Sequence, residues 1–91
     1  MTAIEAANLQ AAEELAQRLP RMGYARARVL PGGSVAAVSD LAFTRALYLG
    51  VTETGWARRF CFANFKLADR RFLELQSEDD VPEGHVAVRG I

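Results

Sequence analysis

Cys61 and His85 are the chain's one cysteine and one histidine, and together they are the only residues of the types needed for a thiolate nucleophile and its base. Such a pair works only where the imidazole reaches the sulfur. Cys61 stands between Phe60 and Phe62 in the most apolar stretch of the sequence, where a free cysteine serves as a small core side chain. His85 follows Glu83-Gly84 at the start of a candidate strand, and an exposed imidazole there needs no role. The acidic run Glu78, Asp79, Asp80 and Glu83 offers oxygen ligands to a hard cation. Its order, E-D-D-V-P-E, lacks the alternate spacing and turn glycine of a calcium loop. Pro31-Gly32-Gly33-Ser34 is too short to cradle a phosphate, and no Lys-Ser/Thr follows it. No hydroxyl residue sits in a G-x-S-x-G or S-x-x-K setting. The expectation is a chain with no catalytic residue, no cofactor and no metal.

At 91 residues, 51% of them apolar and 24% charged, the chain has the size of a single domain, 1–91, with one core. A lone cysteine excludes a disulfide within the chain. No apolar run approaches the roughly 20 residues of a membrane span, and no charged-then-apolar leader opens the sequence. These features predict a soluble, cytoplasmic protein that meets no membrane.

The elements that position these residues follow from periodicity. Thr2, three residues before Glu5, reads as a capping box. At about 100° per residue, Ile4, Ala7, Ala11, Ala12, Leu15, Ala16 and Leu19 share one arc, with Gln10, Glu13, Glu14 and Gln17 opposite. The spacing predicts a helix over 2–19, trailing towards Met22 and stopped by Pro20 and Gly23. Its alanine-rich face allows a sheet to approach closely. After Gly23 the period becomes two. Segments 24–30 and 34–39 form a hairpin about Pro31-Gly32-Gly33, and strands are expected over 43–52 and 56–65. The second of these, W-A-R-R-F-C-F-A-N-F, is apolar on both faces and reads as the central strand. Segment 70–76 alternates as a strand, although Asp69 offers a cap for a short helix through Ala68, Phe72 and Leu75. The strand is the reading adopted. An exposed acidic loop over 77–84 leads to an edge strand over 85–91, with Val86 and Val88 inward. One amphipathic helix on one antiparallel sheet of four to six strands makes a two-layer α+β domain. The stretch E-E-L-A-Q-R-L-P-R-M-G-Y-A-R-A-R-V resembles the helix-into-strand half of SPOR-like peptidoglycan binders. It lacks the strand that precedes the helix in those modules, so the resemblance implies shared architecture only.

The formal net charge is zero, which argues against strong non-specific attraction to nucleic acid or anionic lipid. The charges are nevertheless segregated. Residues 1–17 carry Glu5, Glu13 and Glu14 and no cation. Residues 18–73 hold ten cations against Asp40, Glu53 and Asp69, and residues 74–91 hold five acids against Arg89. All the cations but Lys66 are arginine. A GC-rich genome inflates arginine without functional cause, whereas arginine is also favoured where a planar fork meets carboxylate or phosphate and at interface hot spots.

In size, organisation and charge pattern the chain resembles the small inhibitor proteins of phages and other mobile elements, notably anti-CRISPR proteins. The resemblance implies a non-enzymatic protein that occludes a nucleic-acid-handling host protein or ribonucleoprotein complex, a Cascade-type complex held off its DNA among them. Glu78, Asp79, Asp80 and Glu83 are the expected partner-binding residues, with Arg58, Arg59, Arg70 and Arg71 as a second surface. Charge reversal at Asp79 and Asp80 is expected to abolish binding and leave melting unchanged. The alternative is a small nucleic-acid-binding protein that uses Arg26 and Arg28 with the same four arginines, and stacks bases on Tyr24, Tyr48 and Trp56. A third reading is assembly through the edge strand Val86–Ile91; the chain is expected as a monomer or homodimer.

Overall fold

The computed structural model describes residues 2–90; Met1 and Ile91, the outermost residues of the expected domain and of its last strand, lie outside them. Helix α1 spans Ala3–Arg18 and runs into a 3-10 turn, Leu19–Met22. Strands β1 (Arg26–Val29), β2 (Val35–Asp40), β3 (Arg45–Leu49) and β4 (Arg58–Phe62) follow. Helix α2 (Phe65–Glu74) and strand β5 (Ala87–Arg89) complete the chain. The five strands pair antiparallel in sequence order, β1-β2-β3-β4-β5. This is an α+β fold, as the periodicity predicts, with a second helix in place of one expected strand. No described helix is long and apolar enough to cross a membrane.

Of the expected capping box, the described residues show the hydroxyl half. Thr2 Oγ1 accepts from the Glu5 N–H at 3.2 Å, and Gly23 closes the 3-10 turn at φ +109°, a conformation open to glycine at little cost. The buried stripe is narrower than expected. Ala12, Leu15, Ala16 and Leu19 pack on β1 and β2, whereas Ile4 is 74% exposed.

The 70–76 segment is the main correction: it belongs to α2 and its exit, not to a strand. Asn64 Oδ1 accepts from the Leu67 N–H at 3.0 Å and caps the helix; the expected cap at Asp69 lies inside it. Ala68, Phe72 and Leu75 then face one way at helical spacing and enter the core with Phe60, Phe62, Leu47 and Leu49. Burying a side chain such as Phe72 is worth roughly 1.5–3 kcal/mol, more than the ~1 kcal/mol span of strand propensities.

α2 therefore makes a third layer, because both faces of the sheet are apolar and both need cover. On the α2 side lie Ala36, Val38, Leu47, Leu49, Phe60 and Phe62; on the α1 side lie Val35, Ala37, Ala46, Tyr48 and Cys61. Three smaller expectations also change. The central strand is β3, with β4 beside it, since apolarity on both faces reports cover on both sides and not position. The 43–52 strand begins only at Arg45, leaving Phe43 in the preceding turn, 90% exposed. Val86 is exposed and Val88 only partly covered, because α2 packs on β2, β3 and β4 and stops short of β5.

Candidate functional site

The acidic loop between α2 and β5 is held from within. Asp80 Oδ2 accepts from the backbone N–H groups of Gln76 at 2.8 Å and Ser77 at 3.2 Å. Ser77 Oγ accepts from the Asp79 N–H. Arg71, on α2, donates through Nε to the Glu83 carbonyl at 3.0 Å and through Nη1 to the Glu74 carboxylate at 2.7 Å. His85 donates from Nδ1 to the Pro82 carbonyl at 2.9 Å; since a carbonyl only accepts, this nitrogen carries the proton. Asp80 and Arg71 are thus spent on shaping the loop. Glu78, Asp79 and Glu83 are exposed, and among the described residues no cation pairs with them. The loop does not wait for a partner to order it.

The four arginines expected to form one surface are separated. Arg58 and Arg59 are neighbours on β4 and so point to opposite faces of the sheet. Arg58 lies over the Phe60 ring at 5.4 Å, and Arg59 over the Trp56 ring at 5.3 Å. Among the described residues, each has one buried guanidinium nitrogen without a hydrogen-bond partner, Nη2 of Arg58 and Nε of Arg59. Arg70 is exposed on α2, and Arg71 turns to the acidic loop. The strand arginines of the nucleic-acid reading are also engaged internally. Arg28 Nη1 donates to the carbonyls of Phe72 and Leu75, and Arg26 lies 3.5 Å from the Asp69 carboxylate.

A second internal network joins the far end of the sheet to α2. Arg45, on β3, donates to Asp40 at 2.7 Å and to Asp69 at 2.5 Å. The bonded guanidinium holds the Asp40 carboxyl below the usual aspartate range, and the two carboxylates raise Arg45 in turn.

Tyr24, Tyr48 and Trp56 gather on the α1 side of the sheet. Tyr24 meets Tyr48 edge-on at 5.2 Å, and Tyr48 meets Trp56 at 5.5 Å. Tyr48 shares a 2.8 Å hydrogen bond with Ser39. Burial, with Tyr48 nearby, pushes the Tyr24 phenol above its ordinary value. A cleft of about 420 Å³ opens beside these rings, with Glu53 at its rim; Arg18 forms an ion pair with Glu53.

Cys61 and His85 lie on opposite faces of the sheet. The thiol packs with Val35, Ala37 and Ala46 on the α1 side, and the imidazole meets Phe60 edge-on at 5.0 Å, on the α2 side. The sheet itself stands between sulfur and imidazole. Among the described residues, no three His, Cys, Asp or Glu side chains gather closely enough to hold a metal ion. Sequence reasoning missed Arg89, which stands directly opposite Arg59 across β4 and β5; strand register was the signal needed, and spacing alone does not provide it. Comparison with protein-family models, with curated proteins and with solved structures finds no match.

Proposed function

We propose that this chain is a non-catalytic macromolecule-binding protein, most concretely a small inhibitor that occludes a nucleic-acid-handling host protein or ribonucleoprotein complex. The observation that carries this reading is the acidic rim: Asp80 and Arg71 lock the loop from inside, and Glu78, Asp79 and Glu83 stay exposed with no cation partner among the described residues. Three carboxylates on a pre-ordered loop meet a basic groove at a low entropic cost of ordering. They occupy positions that phosphates otherwise fill, and complementarity of sign sets register and on-rate. The sheet separates Cys61 from His85, so the one thiol–imidazole pair that the composition allows does not form.

Affinity capture from host lysate, with and without nuclease, tests the reading. The expected result is a nuclease-resistant partner that is displaced by double-stranded DNA and lost with the combined variant Glu78→Lys, Asp79→Lys and Glu83→Lys. Capture that persists in the reversed variant would sink the acidic-rim mechanism.

A further inference from the structure

Strand register aligns Ala27, Ala37, Tyr48, Arg59 and Arg89 in one row across all five strands, on the α1 side of the sheet. Cover along this row is uneven. Helix α1 packs over β1 and β2, and Tyr24 and Trp56 flank Tyr48. On this face, among the described residues, the packing of α1 does not extend to β4 and β5. There Arg59 and Arg89 face each other across the ladder, and among the described residues neither has an ion-pair partner. Like charges directly opposed on one face of a sheet destabilise it. Arg59 also lies over the Trp56 ring, and among the described residues its buried Nε has no hydrogen-bond partner. Close approach of the backbone maintains the juxtaposition: Gly90, at φ +89°, packs so tightly on the Ala57 carbonyl that a Cβ there would collide with it.

We infer that this uncovered face binds single-stranded nucleic acid, with a backbone phosphate between Arg59 and Arg89 and an adjacent base in the cleft beside Trp56 and Tyr24. A phosphate relieves the repulsion between the two guanidinium groups and accepts from their planar forks. Arg59 already rests over Trp56 with its Nε buried, which lowers the side-chain freedom lost on binding. The neighbouring cleft has aromatic walls, and its rim carboxylate, Glu53, is neutralised by Arg18. Aromatic walls beside a cationic pair suit bases on a flexible backbone. A duplex keeps its bases stacked inside and engages only the arginines, and an acidic peptide leaves the cleft empty. The inference does not depend on the acidic rim, so the two can fail separately.

The test is a titration of a short fluorescent oligothymidine and its RNA counterpart, against a duplex of equal length and polyglutamate, followed by anisotropy. Trp56 is the single tryptophan, so quenching of its emission reports stacking at this cleft. The expected result is Trp56 quenching by the single strands, with affinity at least ~tenfold above the duplex and falling steeply with salt. Arg89→Gln, on an exposed strand end, and Arg59→Gln each weaken binding about tenfold, and Lys66→Gln on α2 does not. Arg59→Lys, which keeps the charge and loses the fork, also binds more weakly. Single strands that leave Trp56 emission unchanged, or bind Arg89→Gln as tightly as the parent chain, would overturn the inference. Tighter binding of polyglutamate than of the oligonucleotides would overturn it too, in favour of an acidic protein partner.

Discussion

Arg28 on β1 and Phe72 on α2 stand 44 residues apart, and the Arg28 guanidinium donates to the Phe72 carbonyl at 2.7 Å. The same nitrogen reaches the Leu75 carbonyl at 3.0 Å. Carbonyls at a helix C-terminus have no partners within the helix, and a cation there also meets the negative end of the helix dipole. Arg28 is therefore the far cap of α2, as Asn64 is the near one.

Arg28→Ala is expected to lower the folding free energy by about 1.5–3 kcal/mol, the usual worth of hydrogen bonds to a charged group. Arg28→Lys restores only part of the loss, since an ammonium keeps the charge but not the planar guanidinium that lies over the Phe72 ring. Urea denaturation of the three chains measures this. Equal stability of Arg28→Ala and the parent chain would mean that core packing of Phe72 and Leu75 alone holds the helix.

Acid stability is expected to depend on Asp40. Its bond from Arg45 keeps the folded-state carboxyl below its ordinary value, so the unfolded chain binds the proton more readily. The stabilisation is present above the ordinary aspartate pKa, about 3.9, and is lost as the pH falls through the lowered folded value. Melting curves from neutral to strongly acid pH should show the parent chain above Asp40→Asn at neutrality and the two converging in acid. A gap independent of pH would refute the assignment.

Asp79 and Asp80 are adjacent and have opposite roles. Asp80→Lys removes the acceptor for two backbone N–H groups and should cost about 0.5–1.5 kcal/mol per bond, so reversal at both positions is now expected to lower the melting temperature. Asp79→Lys alters an exposed carboxylate, and its melting temperature should stay with the parent's. Differential scanning calorimetry of the single variants separates them, and a partner-binding assay is interpretable only for the Asp79 change. Equal melting of all three chains would show that the Asp80 bonds do not order the loop.

Much of the architecture is legible in the sequence. Thr2, Pro20 and Gly23 mark the ends of the first helix through local chemistry, and Pro31-Gly32-Gly33 marks the hairpin. The paired apolar faces of β2, β3 and β4 imply cover on both sides of the sheet. A second layer of helix is therefore implicit in those strands, although no local signal assigns it to Phe65–Glu74. Of the acidic loop, position and exposure are legible; the internal use of Asp80 is not, because spacing does not say which backbone groups a carboxylate meets.

What the sequence by itself determined was local: caps, turns, periods, and the absence of any second histidine or cysteine. Tertiary packing decided the rest. Residues 70–76 fit a strand through Leu73 and Leu75 and a helix through Phe72 and Leu75, and local preferences differ by less than the burial of Phe72 contributes. The choice belonged to the core. Strand register likewise placed Arg89 opposite Arg59, thirty residues away in the chain, because partners in a sheet are chosen by which faces must be buried and not by proximity in sequence.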